Sequence, residues 1–290
     1  MPTGPRSPPW RPLFAGDSSL HASIATAAAS LRDCAVWPSL ATLDARIAPQ
    51  TVRAGGAAPG VRFVDDPGRS RRPRRGGERT LDSLYDGRIA LRREVPTRST
   101  DWHDLLNALV WASFPRAKWQ LSARQCRVHR ARVGERFERL PPCRTPEQDA
   151  LALLDEGAVL FVVDEARAAA THRAVDESDC AWLAGEVRDG AMRVLLFGHA
   201  QHEHLVRGDR SARAGAVVLP VCGEPRTMSH DALLDAADEA LAALLGDPRC
   251  FAERPSAKGI LLGEIERWVG GTVSTFQHFG HTGIAPSRDA

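Results

Sequence analysis

Two short stretches carry side chains able to do chemistry. The first is Asp101 to Lys118, DWHDLLNALVWASFPRAK, which groups His103, Asp104, Asn107 and Trp111 with Phe114 beside them. An imidazole, a carboxylate and an amide offer a proton carrier, a charge and an orienting hydrogen-bonder, and a purely solvated face would carry Glu, Lys or Arg instead. The second is Gly198 to His204, GHAQHEH. In a helix, His199 and Glu203 fall at i and i+4 on one face, half of a metal site, with His202 nearby. Mononuclear zinc needs a further ligand, and His103 or Asp104 is the natural source. The alternative for His199 is a hydrogen-bonded histidine at a strand-to-helix turn with Glu203 as its partner.

The elements that must position these groups follow from periodicity. In the first stretch Trp102, Leu105, Leu106, Leu109, Val110 and Ala112 recur at helical spacing and form a core face. Ser99, Thr100 and Asp101 offer N-caps, and Pro115 ends the helix and opens the next. Before it, Arg88 to Arg92 alternates like a strand. Beyond it, Thr145, Pro146 and Gln148 spell a capping box, and Ala158 to Val163 (AVLFVV) is a buried strand. A helix with Trp182, Leu183 and Val187 leads to a second strand, Met192 to Phe197. Strand, helix, strand is the order of a parallel unit, which would place Asp164 and Glu165 near His199. A strand at Val217 to Val221 and a helix from Ser229 to Leu245 complete an α/β fold. The expected architecture is a mixed or parallel sheet with surrounding helices, preceded by a smaller helical N-terminal region around His21 to Arg32.

Composition bounds the class. The chain has 290 residues, and 38 basic residues nearly balance 36 acidic ones for a net charge of +2, so no global field draws in nucleic acid or an anionic membrane. Of the basic residues only Lys118 and Lys258 are lysines, a skew that lowers the weight of any single arginine. The run Arg69 to Arg79 lacks interleaved aromatics for base stacking and reads as a basic loop within a disordered 65–79 segment. Six cysteines form no C-x-x-C pair, no secretory leader is evident, and no apolar run approaches the roughly 20 residues of a membrane span. A cytoplasmic location is the expectation. The expected organisation is a flexible arm over 1–16, a single α/β domain over 17–255, and a partly loose tail over 256–290 that holds His278 and His281.

The block Val95 to Lys118, together with Phe197-Gly198-His199 and Glu203, resembles a bacterial family catalogued as domain of unknown function 3025. Asp155-Glu156-Gly157 and Leu219-Pro220-Val221 are weaker points of likeness over roughly Leu81 to Pro255. Ser122 stands where that family would have Asn. The resemblance implies membership and candidate positions rather than a mechanism.

Two readings stay open. In the first the protein is a metal-dependent hydrolase acting on a small anionic substrate. There His103, His199 and Glu203 hold a divalent ion, and His103, Asp104 and Asn107 are catalytic, with Asp104 or Asn107 orienting water. Arg116, Lys118, Arg124 and Trp111 bind substrate. In the second the same polar residues form a buried hydrogen-bond network in a non-catalytic module, and Trp111 and Phe114 anchor a protein partner. Both require the His103 and His199 stretches to face one another.

Overall fold

A computed structural model describes residues 8–53, 58–66, 78–253 and 259–270. Most of the arginine run, Lys258, His278 and His281 lie outside them. In chain order the elements are α1 (Ala25–Ala29), α2 (Leu40–Arg46), β1 (Val52–Arg53), β2 (Ala58–Pro59), β3 (Arg62–Asp65) and β4 (Arg79–Thr80). There follow α3 (Tyr85–Arg92), β5 (Glu94–Thr97), α4 (Trp102–Ser113), α5 (Pro115–Val133), β6 (Arg136–Phe137) and α6 (Pro146–Gly157). The rest comprises β7 (Ala158–Asp164), α7 (Ala168–Asp176), α8 (Cys180–Arg188), β8 (Met192–Leu196), α9 (His199–Val206), β9 (Arg213–Val221), α10 (His230–Gly246), β10 (Ile260–Leu261) and α11 (Leu262–Gly270). The result is an α/β fold around a four-stranded mixed sheet in the order β10-β9-β7-β8.

β7 is the centre of that sheet because all but its last residue is buried, as a continuous apolar run requires. It pairs parallel with β9 but antiparallel with β8, Val159 opposite Leu196. The expected parallel unit is therefore corrected. Two helices, α7 and α8, fill the connection and pack on one another, so the second undoes the return made by the first and β8 runs back along β7. The end of β8 consequently meets the start of β7. His199 lies beside Asp155 and Glu156, and Asp164 and Glu165 close the opposite end of β7.

Helix α4 crosses this arrangement with Leu105, Leu106 and Leu109 buried in one cluster with Leu160, Val162 and Phe197. Asp101 caps it through the Asp104 amide, and Thr145 with Gln148 forms the full capping box of α6. Arg88 to Arg92 is helical, not extended. Gly87 and Ile89 are the buried side of α3, and a Cβ on Gly87 would lie 1.9 Å from the Leu81 carbonyl oxygen, so only glycine permits that approach.

The N-terminal region is shorter in helix than expected. Ser19–Ile24 is a 3-10 turn leading into α1, yet Ile24 and Leu31 join the main core. From Pro8 onward the presumed arm is packed: Trp10 sits against Trp37 and Trp102, Phe14 is buried, and the Trp102 indole donates to the Pro8 carbonyl. At the other end β10 extends the sheet and α11 buries Leu262 and Ile265. No helix among the described residues is long and apolar enough to cross a membrane.

Candidate metal centre

The two chemical stretches meet. His103 on the first turn of α4 and His199 at the start of α9 approach with their Nε2 atoms 3.0 Å apart and their rings edge to face. Each ring is held from behind by its other nitrogen. His199 Nδ1 faces the Asp155 carbonyl oxygen at 2.9 Å, and since a carbonyl only accepts, that nitrogen carries the proton. His103 Nδ1 faces a Glu203 carboxylate oxygen at 3.1 Å and donates to it. The other Glu203 oxygen accepts from Arg207 at 3.0 and 2.6 Å, so this carboxylate is itself held fast.

Glu156 supplies the third group. Its Oε2 lies 3.4 Å from His199 Nε2 and 3.9 Å from His103 Nε2. Among the described residues His103, Glu156 and His199 form a set able to converge on one ion. Ligand bonds of about 2.0–2.1 Å in a tetrahedron imply edges of about 3.3–3.4 Å, which the three separations bracket. Glu203, expected as a ligand, is not part of that set. It accepts from the nitrogen of His103 that points away from the cluster, the position of a carboxylate that orients a histidine rather than of one that shares its ion.

Local sequence explains the geometry. Gly198 links β8 to α9 where a Cβ would lie 2.6 Å from both the Ala158 nitrogen and the Glu156 carbonyl oxygen. Only glycine lets the start of α9 press against the junction of α6 and β7 and bring His199 to Glu156. Burial holds His199 down at about 4, despite the opposing pull of Asp155. The Glu203 hydrogen bond raises His103 against its desolvation, and the reciprocal contact, aided by Arg207, lowers Glu203 to about 2. With both Nδ1 atoms donating outward, the two Nε2 atoms facing one another at 3.0 Å are bridged by one shared proton. Loss of that one proton leaves two lone pairs aimed at a common point beside the Glu156 carboxylate.

The cluster opens into a cleft of about 630 Å³. Behind its wall Lys118 is buried, with Nζ donating to Asn107 Oδ1 at 2.8 Å and to Asp155, while lying 5.6 Å above the Trp111 ring. Asn107 Nδ2 in turn donates to the Tyr85 hydroxyl at 2.8 Å. Burial favours the neutral form of Asp155, but Lys118 and His199 outweigh it and lower its pKa. Asp86, also on the cleft, is pushed up to about 7 by burial and then by Asp155.

Several sequence expectations fall away. Trp111 and Phe114 are fully enclosed, 1% and 0% exposed, so neither anchors a partner. Helix α4 is apolar around nearly its whole circumference and is buried accordingly. Asp104 is occupied by Arg98, which meets it through three contacts of 2.6–2.8 Å, and so is not free to orient water. Arg124 is buried against Glu147 and the carbonyls of Leu245, Asp247, Pro248 and Cys250, closing the end of α10. Arg116 pairs with Asp235 and Asp238 on α10. Neither arginine reaches the cleft. Tyr85, Asp86, Asp155 and Glu156 are among the cleft residues that the sequence does not single out as site residues.

The chain belongs to the family described as "Protein of unknown function (DUF3025)", which matches residues 76–265. That span holds α3 through β10 and every residue of the cluster. No curated protein and no solved structure matches the chain.

Proposed function

We propose that this protein is a metal-dependent hydrolase, with a divalent ion held by His103 Nε2, His199 Nε2 and Glu156. The observation carrying this reading is the shared aim of two histidines whose outer nitrogens are already committed, at edges suited to one ion. Three protein ligands, all lining the cleft, would leave such an ion room for a water or substrate, as in catalytic rather than structural zinc sites. Such an ion supplies Lewis acidity and an acidified water. The chain's own residues fix the histidines through Glu203 and Asp155, and exclude solvent from the inner wall through Trp111 and Phe114.

The substrate is better drawn as uncharged than anionic. Arg116 and Arg124 serve α10, and the cleft wall carries Asp66, Asp86, Asp104, Asp155 and Glu156 against Arg98 and Arg144. Arg98 is already committed to Asp104 and Asp101. The competing reading is a non-catalytic module in which these groups only lock α4 to the sheet. It draws support from the continuous hydrogen bonding from Asp155 through Lys118 and Asn107 to Tyr85.

Metal analysis separates the two. Purified protein dialysed against zinc and then against metal-free buffer should retain one equivalent, lost in His103→Ala and His199→Ala. Failure of the wild-type chain to hold stoichiometric zinc, manganese or iron(II) leaves the network reading.

A further inference from the structure

The hydrogen bonds running out from Lys118 have a fixed direction. An ammonium only donates, so the Asn107 atom facing Nζ must be the carbonyl oxygen, which turns the Asn107 NH₂ toward Tyr85. The Tyr85 oxygen therefore accepts, and its own proton is left to donate elsewhere. Tyr85 lines the same cleft as His103 and His199, and its partner Asn107 lies one helical turn from His103 on α4, so the donor and the two imidazoles border one space. Tyr85 is 41% exposed, and desolvation of its phenol, followed by the charges of Asp155 and Asp86, raises it above its ordinary value, so it stays protonated.

Resting on the metal-hydrolase reading, we propose that the Tyr85 hydroxyl is a catalytic hydrogen-bond donor to a substrate oxygen, and that the substrate is a neutral carbonyl compound, an ester or amide. In the reaction a water oxygen bonds to the carbonyl carbon and the π pair moves onto the carbonyl oxygen, where charge develops against the Tyr85 O–H. The pair then returns as the C–O or C–N bond breaks. One proton of the water ends on the leaving alcohol or amine, and the acid keeps the added oxygen. A neutral donor suits this role because it favours the oxyanion without drawing a pre-formed anion into a cleft lined by carboxylates.

The test uses full-length zinc-loaded protein and Tyr85→Phe, with zinc content and thermal melting checked in both. Acetohydroxamic acid, which offers oxygens to both metal and donor, should bind wild type roughly three- to tenfold more tightly than the variant, as loss of one hydrogen bond implies. p-Nitrophenyl acetate should be hydrolysed in a zinc-dependent manner, with kcat reduced about 10²-fold in Tyr85→Phe and KM little changed. Bis(p-nitrophenyl) phosphate should be the poorer substrate. Equal hydroxamate affinity in zinc-replete wild type and variant overturns the role of Tyr85 while leaving the metal reading intact. A preference for the phosphodiester overturns the neutral-carbonyl class. Failure to bind zinc, manganese or iron(II) removes the metal reading and this inference together.

Discussion

Replacing Glu203 by Gln separates a carboxylate that supports a histidine from one that binds metal. Glu203 touches His103 only through Nδ1, on the side away from the Nε2 cluster, whereas Glu156 faces both Nε2 atoms. Loss of a supporting carboxylate behind a histidine ligand typically weakens metal binding 10- to 100-fold, about 1.4–2.7 kcal/mol at about 1.4 kcal/mol per tenfold. Glu203→Gln should fall in that range, and Glu156→Gln, which removes a ligand, should lose more. The assay is zinc competition against a chromophoric chelator, with circular dichroism to verify the fold.

The pH dependence sharpens the distinction. His103 is raised by its Glu203 contact, so the metal-free site stays protonated to higher pH than an ordinary imidazole and binding weakens as pH falls through that raised value. Without the charge of Glu203 the fall should move to lower pH, followed in the apo protein by NMR titration of the His103 ring. Wild-type zinc affinity and an unchanged His103 titration in Glu203→Gln would refute the supporting role. A loss equal to that of Glu156→Gln would restore Glu203 as a ligand.

Four further outcomes follow from the packing. Gly198→Ala should destabilise the fold and lower metal affinity together, because its Cβ meets backbone atoms at 2.6–2.7 Å that a side chain cannot displace cheaply; normal zinc binding would contradict that close approach. Arg124→Leu should cost about 3–5 kcal/mol in urea unfolding by stranding Glu147 and the carbonyls at the end of α10, yet leave zinc affinity unchanged. Leu106→Ala, at a position with 0% exposure, should cost about 2–5 kcal/mol. Asp86, raised from 3.8 to about 7, contributes stability that is fully present below its unfolded value and is lost as pH rises through about 7. Asp86→Asn should therefore flatten the wild-type decline between roughly pH 4 and 7, and parallel curves would refute the assignment.

What the sequence revealed of the site depended on how far each signal reached along the chain. His103 and Asn107 stand out because, with Asp104, they interrupt a largely apolar helix at i and i+4, a local pattern. His199 and Glu203 were equally local. Their contact with His103 was inferable because neither polar side buries well alone. Trp111 and Phe114 were misplaced because an aromatic beside polar residues was read as a second face, when α4 is enclosed nearly all round. The arginines misled for a compositional reason: with almost every basic residue an arginine, Arg124 closing a helix end has the same sequence appearance as a substrate clamp.

Glu156 and Asp155 required something that no local pattern carries, the direction of one strand. In a parallel β7 and β8 pair the start of β7 and the end of β8 would lie a strand length apart, and the carboxylates at the end of α6 would be irrelevant to His199. The pair is antiparallel because α7 and α8 form a helical hairpin rather than a single crossover. The capped end of β8 then falls beside the junction of α6 and β7, where Gly198 presses against the backbone of Glu156 and Gly157. The Asp155-Glu156-Gly157 triplet acquires meaning from that contact: Asp155 offers its carbonyl to one histidine, Glu156 its carboxylate to both, and the following residues enter the sheet at once. A site assembled from α4, the α6-β7 junction and the β8-α9 turn thus rests on a single topological choice, and a register or direction change in β8 would dissolve it while leaving every local helix and strand intact.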